Sequence, residues 1–346
     1  VTARLLTPIS PHRHGDASVR RVMLGVLYAL VPGIAAYVWL FGWGVVVNAT
    51  LALAVALAAE AVMLTLRGRP VRPFLTDGSA AVTAVLLAVA LPPLAPWWAT
   101  AVGTAVAIVV AKHLYGGLGY NPFNPAMVGY VVLLVSFPRV MTVWPAPEAL
   151  SGHYLGPIES LRIVFTGGSG DLSIDAVSGA TALDYMKVKL GAELTVAEVR
   201  ASPVFGGVAG RGWEWVSLGF LLGGLWLLYR RVITWHIPVG MLGALALLAL
   251  VFSAVDPAHY PSPLFHLAAG GAALGAFFIA TDPVSAATTP RGRLLFGAGV
   301  GTLTYVIRTW GAYPDAVAFS VLLMNLAAPT IDRYTQPRVL GHGKSG

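Results

Sequence analysis

The sequence contains no cysteine and few charges: of its 346 residues, 11% are Asp, Glu, Lys or Arg. Without thiols the chain can form no disulfide, carry no iron–sulfur cluster on its own ligands and do no thiol chemistry. An ordinary soluble domain is about one-quarter charged. A charged fraction this low, with 57% hydrophobic residues and a mean hydropathy of +0.74, excludes such a domain and points to a polytopic membrane protein. No short basic region followed by a cleavage site opens the chain, so no signal peptide is expected. A strand–turn–helix glycine fingerprint for a nicotinamide cofactor is also missing. The histidines are scattered without the spacing of a haem pair and read as interface or capping residues.

What is present is a succession of apolar runs. Spanning a bilayer takes roughly 20 apolar residues, fewer for half-helices buried among neighbours. Ten candidate spans follow, at 22–41, 44–66, 79–91, 96–112, 124–138, 213–229, 236–253, 263–280, 293–308 and 314–329. The third and fifth are short and bounded by prolines. Basic residues alternate with this count. Arg4, Arg13, Arg20 and Arg21, then Arg67, Arg69 and Arg72, then Lys112, Arg230, Arg231, Arg291, Arg293, Arg333, Arg338 and Lys344 fall on one side, while the short loops on the other contain only Arg308. By the positive-inside rule both termini lie in the cytoplasm. The net charge of +7 then marks inner loops and not a nucleic-acid partner. Trp39, Trp43, Trp97, Trp98, Trp144, Trp213, Trp215 and Trp310 fall near the outer interface, as an aromatic belt does; Trp226 and Trp235 do not.

The expected organisation is therefore a cytoplasmic tail over 1–21, five spans over 22–138, an extracytoplasmic segment over 139–212, five spans over 213–330 and a cytoplasmic tail over 331–346. The segment 139–212 exceeds what a connector needs, which argues for a function. Within it ESLRIVF reads as a short strand and LDYMKVKL as an amphipathic stretch. LTDGSAAVTAVLLAVALPP, around Asp77, resembles ATDPVSAATTPRGRLLFGAG, around Asp282; GYNPFNPAMVGYVVLLV echoes GAYPDAVAFSVLLMNLA. With five spans per half, the fold class predicted is all-α, about ten transmembrane helices in two inverted repeats, with a central site between the halves.

Four positions invite chemistry inside the membrane part. Asp77 and Asp282 each follow a Thr and precede small apolar residues, the pattern of a helix cap, with Pro283 at the first helical position. Alternatively, two half-helix N-termini brought from opposite halves form a site for a polar or anionic ligand. Asn124 in NPFNPA reads as an N-cap with Pro125 in the first turn, or as a pore-lining element of the kind found in water channels. Glu60 is a carboxylate inside an apolar run, either functional or snorkelling toward Arg67 or Arg69.

The stretch DAVSGATAL, 175–183, lies in the expected extracytoplasmic segment. Ser178 and Thr181 are hydroxyls among small residues, and Gly179 and Ala180 leave an incoming active site unobstructed. Asp175-Ala-Val-Ser178-Gly179-Ala180-Thr181 resembles the signature at which a flavin transferase, with FAD as donor, attaches FMN to the last threonine. GYNPFNPAMVGYVVLLVSFPRVMTVW, FFIATDPVSAATTPRGRL and AYPDAVAFSVLLMNLAAPTIDRYTQPR are similar to the D subunits of Rnf electron-transport complexes. That family is homologous to the B subunit of the sodium-pumping NADH:quinone oxidoreductase.

The resemblance implies a bacterial inner-membrane electron carrier with FMN linked covalently to Thr181 through a phosphoester. Its implied partners are the other Rnf subunits, iron–sulfur and second flavin-bearing ones among them, the flavin transferase and membrane lipid. The complex would pass electrons between ferredoxin and NAD, coupled to Na⁺ or H⁺ movement. B-subunit relatives also hold a non-covalent riboflavin, so Asp77, Asp282, Glu60 and Asn124 are candidates for a second flavin or ion site. The competing expectation is a channel or secondary transporter built on the same inverted repeat.

Overall fold

The computed structural model describes residues 18–169, 172–313 and 315–336. The expectations for the tails at 1–17 and 337–346 lie outside the described residues. All ten apolar stretches carry helix. Four helical segments, Val19–Phe41, Gly44–Leu66, Val71–Ala90 and His236–Val255, are long and apolar enough to cross a membrane by length and composition. The architecture is that of a polytopic membrane protein.

Local chemistry explains where the stretches depart from simple spans. Gly78 is left-handed, at φ 84°, which separates the short helix Val71–Leu75 from Ser79–Ala90. The stretch 263–280 is not one helix. It breaks at Gly270, φ 63°, between Pro263–Ala268 and Ala272–Leu274, and then continues as π-helix over Gly275–Ile279. Trp97–Ala105 likewise runs into a π-helix, Val106–His113. Such wide turns insert a residue into the helical register and are frequent at functional sites.

Glycines decide how closely the helices approach. Val19–Phe41 packs on Trp213–Tyr229, joining N-terminal and C-terminal parts of the chain. A Cβ at Gly223 would overlap the carbonyl oxygen of Ala29, and one at Gly219 would sit 2.8 Å from that of Pro32. This is the close approach that small residues four apart permit in a membrane. Gly223→Val should therefore destabilise the bundle by about 3 kcal/mol. The check is the melting temperature and monodispersity of the purified variant in detergent.

The segment between the fifth and sixth stretches folds over one end of the bundle. Tyr154 Oη donates to Val38 O at 3.1 Å, Trp43 N–H to Leu155 O at 3.1 Å and Val196 N–H to Ala258 O at 2.7 Å. Leu94, Leu155, Ile163 and Val177 form one small core there, and Leu183, Met186, Val199, Phe205 and Phe265 belong to another. The ESLRIVF stretch is helical, within Pro157–Thr166, and not a strand. Pro157 begins the helix, Glu159 Oε2 accepts the Gly156 N–H at 3.1 Å, and left-handed Gly167 ends it. These terminal signals outweigh the β-branched residues between them. LDYMKVKL is helical as well, within Ala182–Gly191.

Candidate functional sites

The Asp175–Thr181 motif is built as a turn, a strand and a cap. Ile174–Val177 makes one helical turn whose Val177 is buried, at 1% exposure. Ser178–Gly179 then pairs antiparallel with Trp144–Pro145, with Trp144 opposite Gly179. Thr181 is the N-cap of Ala182–Gly191, its Oγ1 accepting the Asp184 N–H at 3.2 Å. Asp175, Gly179 and Ala180 are exposed and Thr181 is half-buried. The pairing with Trp144–Pro145 holds the small residues at the surface, while the cap fixes the direction of the threonine hydroxyl.

Beneath Thr181 opens a cavity of about 350 Å³. Tyr37, Tyr130, Trp144, Trp213 and Phe220 wall it on one side, and Asp184, Gly271, Tyr313 and Asp315 contribute polar groups. The aromatic wall is internally packed. Tyr37 and Trp213 meet edge-on at 5.4 Å between centroids, and Trp144 and Trp213 at 5.3 Å. Such an arrangement offers flat apolar faces to a planar ring. Arg308 donates to His266 O at 2.7 Å, Ala269 O at 3.2 Å and Asp315 Oδ1 at 3.2 Å, and Ala269 and Asp315 line the cavity. Asp315 Oδ2 accepts the Gly271 N–H at 2.6 Å, closing the backbone break described above. Arg308, expected in an outer loop, is a buried helical residue at 4% exposure.

A second cavity, about 290 Å³, lies at the opposite end of the bundle. Its polar lining includes Ser79, Lys112, Asn121, Asn124, Asp282 and Arg293. Asn124 caps Pro125–Ser136 as expected, its Oδ1 accepting the Met127 N–H at 3.2 Å. It also links the two halves. Its N–H donates to Asn325 Oδ1 at 3.1 Å and its Nδ2 to Ile279 O at 3.3 Å, while Asn325 Nδ2 reaches Ser285 O at 3.0 Å.

Behind this cavity stands a buried polar chain. Lys112 Nζ donates to Glu60 Oε1 at 2.9 Å, Glu60 Oε2 at 2.8 Å and Ser79 Oγ at 2.8 Å. His113 Nε2 lies 3.2 Å from Glu60 Oε2. Glu60 therefore does not snorkel toward Arg67 or Arg69. The π-helix turns both Lys112 and His113 inward, and a carboxylate in apolar surroundings takes the nearest cation. Arg67 instead donates to His113 O at 3.3 Å. Asp77 Oδ1 accepts both the N–H and the hydroxyl of Ser79 at 2.7 Å, but the N-cap position of Ser79–Ala90 belongs to Gly78, so Asp77 braces the turn before the helix and is not its cap.

Asp282 does not cap a helix. It follows the π-helix Gly275–Ile279, its Oδ1 accepting the Val284 N–H at 3.2 Å and its Oδ2 the Ser285 hydroxyl at 2.9 Å, which shapes a turn. No helix forms over Pro283–Thr289 because Pro290, seven residues on, provides the next start, with Thr289 as its cap. Of the four membrane candidates, Asn124 and Asp282 face the cavity directly; Asp77 and Glu60 reach it through Ser79 and Lys112. Sequence reasoning missed Lys112, His113, Lys187, Arg308, Asp315 and Asn325. Lys112 was visible as a base at the end of an apolar run, and the others carry no local signal.

Residues 6–341 match the model of the NQR2, RnfD, RnfE family. The chain belongs to this family. Its similarity to family members runs end to end. In Pseudomonas aeruginosa (strain PAO1), the protein named as the D component of an ion-translocating oxidoreductase complex is 57% identical to it over 340 residues, covering 98% of this chain and 96% of that one. Identity to the protein of the same name in Alcanivorax borkumensis is 54% over 343 residues, 99% and 98% of the two chains. With that of Yersinia pestis it is 54% over 346 residues, 97% and 98%.

Proposed function

We propose that this chain is the D component of an ion-translocating oxidoreductase complex of the Rnf type, a membrane electron carrier with FMN joined to Thr181 by a phosphoester. One coincidence carries the reading: the transferase-type motif is exposed, and its last threonine sits at the mouth of an aromatic-walled cavity. The residues fit the group on three counts. Gly179 and Ala180 leave the hydroxyl approachable by a maturation enzyme. Thr181 opens a 10-residue helix, whose N-terminal amides favour a phosphate. Tyr37, Trp144 and Trp213 provide the faces against which a flat ring stacks. The flavin, once attached, supplies one- and two-electron transfer, and the protein supplies position and electrostatics.

In this reading the segment 139–212 is periplasmic, both termini are cytoplasmic and the membrane is the bacterial inner membrane. The exposed Arg69, Arg72, Arg230, Arg231 and Arg291 at the end opposite that segment support it. The ten helical stretches then form two inverted repeats, with a central site between the halves. Electron transfer between ferredoxin and NAD, with Na⁺ or H⁺ movement and iron–sulfur and flavin partner subunits, belongs to the complex as a whole.

Denaturing the purified chain, made together with a flavin transferase, tests the reading against a channel or transporter. Flavin absorbance that stays with the precipitated protein supports it; a colourless chain contradicts it.

The opposite cavity is proposed for the non-covalent riboflavin, since its amide, hydroxyl and carboxylate lining suits a polar ring edge and ribityl hydroxyls. Asp282→Asn should lower the riboflavin released on denaturation severalfold while leaving covalent flavin unchanged. Chromatography of the released fraction measures it.

A further inference from the structure

Lys187 lies on the helix that Thr181 caps, Ala182–Gly191, six residues further on. An ammonium has three N–H donors, and here three carbonyls take them: Ile307 O at 3.2 Å, Arg308 O at 2.9 Å and Tyr313 O at 3.3 Å. These acceptors lie at and just beyond the C-terminal end of Pro290–Trp310, where the helix dipole favours a cation. No carboxylate takes part, so the contact is not a surface ion pair of interchangeable geometry. Burial pulls the Lys187 pKa below the usual lysine value, against the pull of Asp184.

The acceptor end is itself fixed. Arg308 is tied to His266 O, Ala269 O and Asp315, and Asp315 to the Gly271 N–H. Leu183, one turn before Lys187, rests against Gly270. Thr181, Leu183, Tyr313 and Asp315 all line the same cavity. Six residues of helix place Thr181 about 9 Å along the axis from the lysine, so a small rotation about this contact sweeps Thr181 across the cavity mouth.

We infer that Lys187 is a positioning residue: it pins the Thr181-bearing helix to the end of Pro290–Trp310 and so sets where a group attached to Thr181 lies in the cavity. The inference rests on the Thr181 reading above. It goes beyond that reading in assigning a role to a residue outside the attachment motif.

The test uses the full chain made with its flavin transferase, as wild type, Lys187→Met and Lys187→Arg. In Lys187→Met, amide exchange over 183–190 should be roughly tenfold faster or more, measured also on Thr181→Ala protein that carries no attached flavin. In-gel covalent fluorescence should persist, while flavin anisotropy falls and the midpoint potential shifts. Lys187→Arg, which keeps charge and donors, should restore the wild-type values. Unchanged exchange in Lys187→Met overturns the pin. Faster exchange with wild-type anisotropy and potential overturns the positioning role and leaves a purely structural contact. A wild-type chain without covalent flavin defeats the Thr181 reading instead, and the exchange measurement then decides the pin alone.

Discussion

Lys112→Met should be among the most damaging single substitutions in the membrane part. It removes the ammonium that serves both oxygens of Glu60 and the Ser79 hydroxyl, with both charged side chains 3% exposed. Breaking a buried pair by removing one partner costs about 3–5 kcal/mol, because the remaining charge is left uncompensated in a poor solvent. Against a total stability of about 5–15 kcal/mol for a typical domain, that is a large fraction. Lys112→Met/Glu60→Gln, with no charge stranded, should recover much of the loss. Thermal melting of the purified variants in detergent measures both. A single variant as stable as wild type would mean that Glu60 finds another partner, and His113, already 3.2 Å away, is the one placed to serve.

The outcome bears on the opposite cavity as well. Ser79, clamped between Lys112 and Asp77, begins the helix Ser79–Ala90 that forms one wall. Loss of the clamp should loosen that wall before the bundle melts, so release of the riboflavin proposed for this cavity should rise in the variant at temperatures below its unfolding transition.

Much of the fold was legible because bilayer chemistry is coarse. Helices occupy all ten apolar stretches, since every backbone polar group in hydrocarbon needs an internal partner. Reading failed where a terminal signal or a tertiary partner decided. Pro157 and Gly167 turned β-branched ESLRIVF into helix, and Gly270 broke a stretch whose hydropathy is continuous. Among the candidate sites, Asp175–Thr181 stood out through its resemblance to a transferase signature, a short local motif whose residues need no distant partner to be read. Glu60 was visible as a buried acid but its partner was not, because Lys112 is 52 residues away and faces it only through the wide turns of Val106–His113. Arg308 and Asp315 were hidden for a similar reason: a loop position and a buried pair look alike until the chain folds back.

Thr181→Ala should remove covalent flavin completely, since no other atom of the motif holds the same place. The alanine also loses the N-cap acceptor of the Asp184 N–H, a cost of about 1 kcal/mol. That is small enough for the chain to insert and fold, so absence of flavin cannot be traded for absence of protein. Ser178→Ala should retain most of the flavin: Ser178 lies in the strand paired with Pro145, and the threonine hydroxyl is the one at the cavity mouth. In-gel fluorescence under ultraviolet light compares the variants side by side.

The most direct measurement is the mass of the peptide containing residues 175–186, cut from chain produced with and without a flavin transferase. The account predicts an FMN phosphoester on Thr181, with fragment ions confining the added mass to that residue, and an unmodified peptide when the transferase is absent. An unmodified peptide in both preparations, or the added mass on Ser178, would contradict it.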